Sequence, residues 1–172
     1  MTVTSCPSPY GGCPTGTTTP VPTNEPGACS SQDLSEAQAA CAGGADTTGC
    51  TAFLQTLTSN GAQACALCLQ PFVVPFDQGT GIFLCAAPFV SASCNATTGC
   101  YTDCETQTCS ACPASQSDTC AQEVATGSCS TYATAAASCA TAAEAGPGAF
   151  CNPASYASFG AWLQGVGAFY CE

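Results

Sequence analysis

Cysteine recurs from one end of this chain to the other, at Cys6, Cys13, Cys29, Cys41, Cys50, Cys65, Cys68, Cys85, Cys94, Cys100, Cys104, Cys109, Cys112, Cys120, Cys129, Cys139, Cys151 and Cys171. The count is even, 18 in 172 residues, so full pairing would give nine bridges. Roughly one residue in ten being cysteine is the density of a disulfide scaffold. Bridges at that density persist only in an oxidising compartment. The expected setting is therefore secreted or cell-surface, extracellular or periplasmic. All the cysteines are disulfide candidates, and their first expected role is to hold the fold together.

Several stand three or four residues apart: Cys65 and Cys68, Cys100 and Cys104, Cys109 and Cys112. On a helix such pairs share a face, and a face with two thiols most naturally meets two on a neighbouring helix. Cys41 and Cys50, Cys85 and Cys94, Cys100 and Cys109, and Cys120 and Cys129 are each nine apart. Nine residues of one straight helix make about two and a half turns, which places the two on opposite faces. Those pairs are expected to straddle helix boundaries or to serve different neighbours. The recurrence hints at a duplicated unit, although the residues between do not match.

The second constraint is an absence. There is no Lys, Arg or His, against 11 acidic residues, for a formal net charge of −11. Ordinary composition would give about 20 Lys and Arg. Side-chain salt bridges are impossible, so the fold must rest on burial, hydrogen bonds and cross-links. Nucleic-acid binding is excluded, because nothing can neutralise phosphate or release its counterions. Anionic membrane surfaces are excluded for the same reason. Trypsin-like proteases find no Lys or Arg to cleave after.

Chemistry is equally constrained. Without His there is no Ser-His-Asp or Cys-His unit, and without Lys no Schiff base. Cys65-x-x-Cys68 with Cys109-x-x-Cys112 has the ligand spacing of a four-thiolate zinc site, but ordinary disulfides are the preferred reading, and no metal or cofactor is expected. A redox role for either motif lacks a Lys or His to depress a thiol pKa, a task left to a helix N-terminus. Only carboxylates remain for acid–base work, as in a carboxylate-based hydrolase. Asp103 and Glu105, at i and i+2, would point apart on a helix and read as solvated surface acids. No enzyme is expected. An ice- or surface-binding (antifreeze-like) role is the other alternative, but Thr47-Thr48, Thr97-Thr98 and Thr106/Thr108 show no fixed period. Asn95-Ala96-Thr97 fits a glycosylation sequon and reads as a loop or a helix cap.

Two regions are expected. Residues 1–28 hold Pro7, Pro9, Pro14, Pro20, Pro22 and Pro26 around Thr17-Thr18-Thr19, the composition of an extended tail or spacer. Residues 29–172 read as a disulfide-stapled helical domain, mainly α with long loops. Helices are expected over about 32–40 behind a Ser30 or Ser31 cap, from Asp46 or Thr47 to Asn60-Gly61, over 62–69 up to Pro71, over 79–87, 97–109, 115–125 and 131–145. Phe72 to Phe76 reads as an apolar connector. Asn152-Pro153 reads as the cap and first position of a last helix carrying Tyr156, Phe159, Trp162, Leu163 and Val166. Met1 and the residues after it have neither a basic nor an apolar signal region, so the chain reads as a mature form. No apolar run approaches a membrane span, and a monomer is expected.

Phe83-Leu84-Cys85-Ala86-Ala87-Pro88-Phe89-Val90, then Cys94-Asn95, Thr98-Gly99-Cys100, Asp103-Cys104 and Cys109-Ser110-Ala111-Cys112, resemble the cysteine-rich secreted or lipoprotein-type proteins numerous in myxobacteria and related large-genome bacteria. The resemblance covers about a third of the chain. It implies a Pro/Thr/Ser-rich spacer before a cysteine-dense domain and assigns no activity to any residue. This chain departs from that pattern in having no basic residue.

Overall fold

The computed structural model describes residues 8–45, 47–73, 78–113 and 116–172. Among the described residues there are eight α-helices and no strand: α1 (Ser31–Ala40), α2 (Thr48–Ser59), α3 (Gln63–Val73), α4 (Gln78–Ala86), α5 (Ala92–Cys109), α6 (Ser117–Thr126), α7 (Ser130–Glu144) and α8 (Phe159–Tyr170). The fold is mainly α, as the sequence predicts. No helix among the described residues is long and apolar enough to cross a membrane.

Local chemistry sets the clearest boundaries. Ser30 starts α1 through a reciprocal cap: its hydroxyl accepts from Asp33 N at 3.2 Å, and its own N–H donates to Asp33 Oδ2 at 2.9 Å. The Thr47 hydroxyl accepts from Cys50 N at the start of α2. Asn60 closes α2, and Gly61 follows at φ +85°, a conformation glycine adopts without steric cost.

Three boundaries differ from expectation. Helix α3 runs through Pro71 to Val73. Pro71 takes one backbone donor from the last turn, and the carbonyl left without it belongs to Leu67, a residue 56% exposed, so water can take the bond. Helix α5 starts five residues before the expected Thr97, where the Ser91 hydroxyl accepts from Cys94 N. Asn152 does act as a cap, accepting from Ala154 N, but for the 3₁₀ turn Pro153–Ser155 alone. The chain turns extended at Tyr156, and α8 begins behind Ser158. Of the connector 72–76, Phe72 and Val73 belong to α3, and 74–76 lie outside the described residues.

Two cores result. The first lies among α1, α2, α3, α4 and α8, with Leu34, Leu57, Leu69, Phe72, Trp162, Leu163, Val166 and Tyr170 buried together. Its two polar aromatics are satisfied inside: Trp162 Nε1 donates to the Cys151 carbonyl at 2.9 Å, and Tyr170 OH donates to the Cys85 carbonyl at 2.7 Å. Helices α1 and α8 cross at Gly160, where a Cβ would collide with the Gln38 carbonyl. The second core joins Phe83 of α4 to Tyr101, Cys104, Cys120, Val124, Cys129 and Ala136 of α5, α6 and α7.

Over its described residues, 8–28, the Pro/Thr-rich segment forms neither helix nor strand and lies on the domain as a strap. Ser8 N donates to the Thr108 carbonyl, Tyr10 OH to Asp103 Oδ2 at 2.9 Å, and the Thr19 and Thr98 hydroxyls share a buried 2.7 Å hydrogen bond. Farther on, Glu25 N donates to the Tyr170 carbonyl and Cys29 N to that of Cys171. The close approach to α5 needs Gly99, since a Cβ there would sit 2.5 Å from the Thr18 backbone. Composition alone predicts extension. The hydrogen bonds and a cross-link decide where the extended chain lies.

Candidate functional site

The predicted site residues are the cysteines. Eight bridges join Cys13 to Cys100, Cys29 to Cys65, Cys41 to Cys50, Cys68 to Cys171, Cys85 to Cys151, Cys94 to Cys139, Cys104 to Cys129 and Cys109 to Cys120. Cys112 is disulfide-bonded too, and no described cysteine is free. Cys6 lies outside the described residues. Closely spaced cysteines do not pair as doublets with a neighbouring doublet. Cys65 and Cys68 diverge to Cys29 and Cys171, while Cys100 and Cys104 diverge to Cys13 and Cys129. Of the nine-residue spacings, Cys41 and Cys50 bond to each other across the α1–α2 turn, and the other three do not close.

The sequence pairs Cys65-x-x-Cys68 with Cys109-x-x-Cys112 as a conceivable four-thiolate site. The structure puts the first motif in the first core and the second at the edge of the other. It brings a different sulfur to the second motif. The Sγ atoms of Cys109, Cys112 and Cys120 all lie within 4.8 Å of one another, with Cys109 and Cys112 partly exposed and Cys120 buried. Cys109 is the last residue of α5, Cys112 closes the following turn by donating its N–H to the Cys109 carbonyl, and Cys120 sits in the first turn of α6. Sulfurs already in disulfides are not thiolates, the form that ligates a metal, so this cluster is one of disulfides rather than a metal centre.

The acidic pair divides differently from expectation. Asp103 is partly buried and accepts from Tyr10 and from Gln107 Nε2. Glu105 is only 5% exposed, so it is not a solvated surface acid. As i and i+2 on α5 the two leave the helix on different faces, and they do not converge on one site. Burial first, and then the hydrogen bond to Asp103, raises the Tyr10 phenol well above its ordinary pKa. Burial alone pushes Tyr170 up to about 12. The sequon is also relocated: Asn95 lies inside α5 and is 8% exposed, so the folded chain leaves little room for a glycan on its amide.

The described surface also carries shallow grooves and a ring cluster. A groove of about 260 Å³ between α2 and α3 is lined by Thr51, Leu54, Gln55, Leu67 and Gln70. Another of about 330 Å³ beside α1 and α8 includes Tyr156, Gln164 and Glu172. In neither do two carboxylates meet. Phe89, Phe150 and Phe169 form a triangle with centroids 5.6, 5.7 and 4.4 Å apart, and Phe169 is 47% exposed. No sequence period marks this triangle, because its rings come from three separate elements. No protein-family model, no curated protein and no solved structure matches this chain.

Proposed function

We propose that the chain is a secreted or surface-displayed structural and binding module, a cross-linked body without catalytic activity. The observation that carries this reading is the reach of its bridges. Each of the eight helices holds a bridged cysteine within it or at its cap, from Cys41 at the end of α1 to Cys171 at the end of α8. The missing Lys and Arg add resistance to one class of protease and remove the binding modes that need cations. The resemblance to myxobacterial cysteine-rich proteins points the same way. Intact mass after alkylation without reductant is expected to show no adduct. Pepsin is expected to spare the native chain and to degrade the reduced, alkylated one. Alkyl adducts on the native chain, or equal digestion of both forms, would overturn the proposal.

A second reading has one observation behind it. The outer face of α7 presents Thr131, Thr134, Ala135, Ser138, Thr141 and Ala142, all exposed and uncharged. Such a face suits ordered water better than a charged one would, although the Ser138 and Thr141 hydroxyls donate to carbonyls of their own helix. Thermal hysteresis of the oxidised protein tests it, and its absence removes the ice-binding reading. The hydrolase reading gains nothing from this geometry.

A further inference from the structure

The geometry points to Thr23, on the strap, as an acceptor for O-glycosyl transfer from a nucleoside-diphosphate sugar. Segments rich in threonine and proline carry such sugars in surface stalks, so this step rests on the secreted or surface-displayed reading of the chain. Composition alone does not choose among Thr15, Thr17, Thr18, Thr19 and Thr23, but their surroundings do. Thr19 is 3% exposed, and its hydroxyl is hydrogen-bonded to that of Thr98. Thr17 donates both its hydroxyl and its N–H to the Pro14 carbonyl. Thr15 is exposed, but it sits in the turn that this bond closes, next to Gly16 at φ +87°. Thr18 is exposed too, but its backbone lies against Gly99 of α5.

Thr23 stands in an arch between two ties. Thr19 N donates to the Asn95 carbonyl on one side, and Glu25 N donates to the Tyr170 carbonyl on the other. Between them Pro20, Val21, Thr23 and Asn24 are exposed, Pro22 is partly exposed, and none belongs to a helix, strand or turn. Pro20 and Pro22 fix φ at about −65° and hold the residues before them extended. An enzyme that reads an extended peptide in a groove therefore meets one already shaped for it, at little cost in entropy. The Thr23 hydroxyl makes no hydrogen bond within the described residues and is available. Exposed threonines elsewhere lack this combination. Thr56, Thr58 and Thr141 lie in helices, and their hydroxyls donate to carbonyls one turn back.

In the transfer, Thr23 Oγ1 attacks the anomeric carbon of the sugar. The bond from Oγ1 to that carbon forms as the bond from the carbon to the phosphate oxygen breaks. The electron pair leaves on the nucleoside diphosphate, and the hydroxyl proton passes to a base of the transferase. The strap supplies the acceptor hydroxyl and its presentation. This chain has no Lys, Arg or His with which to hold a diphosphate, so the catalyst is a separate enzyme.

The test incubates the oxidised full chain with UDP-N-acetylgalactosamine and a soluble polypeptide N-acetylgalactosaminyltransferase, and follows intact mass. After the reaction the cysteines are reduced and aminoethylated, which supplies the positive charge the chain lacks, and electron-transfer fragmentation locates the sugar. The first sugar is expected on Thr23, with Thr17 and Thr19 unmodified. Thr23→Val should abolish that first addition, and Thr23→Ser should keep it. A first sugar on any other residue of the oxidised chain would overturn the inference. So would the absence of sugar from Thr23 of the oxidised chain, whether or not the reduced, alkylated chain accepts one. Alkylation and pepsin digestion test the cross-linked module without reference to Thr23, so either reading can fail alone.

Discussion

The region around each core has the same number of described bridges, but the two cores hold very different amounts of hydrocarbon. Cys29–Cys65, Cys41–Cys50, Cys68–Cys171 and Cys85–Cys151 lie in the first, and all of their cysteines are buried among Trp162, Tyr170, Leu34, Leu69 and Leu163. Cys13–Cys100, Cys94–Cys139, Cys104–Cys129 and Cys109–Cys120 serve the second, where the large apolar side chains are Phe83, Tyr101 and Val124. There only Cys104, Cys120 and Cys129 of the bridged residues are buried. Burial stabilises by about 25 cal/mol per Å² of apolar surface. A bridge adds about 2–4 kcal/mol, mainly by restricting the unfolded chain. The first region has both sources of stability, while the second leans on cross-links that solvent can reach. Cysteine density is thus a poor guide to how a cysteine-rich fold is held together, because the same density can reinforce a core or replace one.

The largest expected effect follows directly. Under a reductant just strong enough to open part of the framework, backbone amides of α5, α6 and α7 should lose hydrogen-exchange protection first. Those of α1, α3 and α8 should hold until the buried bridges yield. Full reduction should remove protection everywhere, because the marginal stability of an ordinary domain is about 5–15 kcal/mol and several bridges exceed that together. Exchange measured by mass spectrometry across a reductant series reads this order. Loss of protection in both regions at one reductant concentration would mean that they do not differ in how they are held together.

A smaller effect separates the regions without touching a bridge. Leu163 is fully buried in the first core, and Leu163→Ala should cost about 2–5 kcal/mol in denaturant unfolding of the oxidised protein. Val124 is 4% exposed in the second, and Val124→Ala removes only about 1.6 kcal/mol of transfer free energy, at about 0.8 per methylene. Equal losses would mean that the second region packs as tightly as the first.

How much of this was legible beforehand depended on how local each determinant was. Ser30 with Asp33, and Asn60 with Gly61, are boundaries written within four residues, and the chain obeys them. Asn152-Pro153 carries an equally good local signal, yet it caps only a 3₁₀ turn. Tyr156 then leaves the helical path, sends its hydroxyl to the Phe150 carbonyl and packs against Gly165. Tertiary contacts outweighed a cap there, as they commonly outweigh propensity. The start of α5 was hidden because residues 92–96 have no apolar period to mark a buried face. Disulfide connectivity was out of reach for a different reason. Bridges such as Cys13–Cys100 and Cys68–Cys171 span 87 and 103 residues, and the spacing of neighbours says nothing about contacts at that range. The cluster at the end of α5 shows the same limit, since Cys109-x-x-Cys112 is visible in the sequence and its third member, Cys120, is not.

The smallest effect sets one tyrosine of each region against the other. Tyr170 sits in the first core with its phenol raised to about 12 from an ordinary 10.0 by burial. Tyr10 edges the second core, its phenol raised by burial and then by its hydrogen bond to Asp103. Below about pH 10 the phenol is protonated in the folded and unfolded chains alike, and its native-state preference for the protonated form is fully in force. Between 10.0 and about 12 the unfolded chain ionises first and binds fewer protons than the native one, so stability falls as pH rises through that window. With no Lys to titrate alongside, tyrosinate absorbance reads the event cleanly. Tyr10 and Tyr170 should ionise late, so Tyr10→Phe and Tyr170→Phe should each remove one late-ionising phenol. Tyr10→Phe also frees the strap from Asp103, and so should speed exchange at Ser8 and Thr19 while leaving α1 and α8 unchanged. If Tyr10→Phe instead loosens the first core, the strap ties the two regions into a single cooperative unit, and the division between them is one of composition rather than of stability.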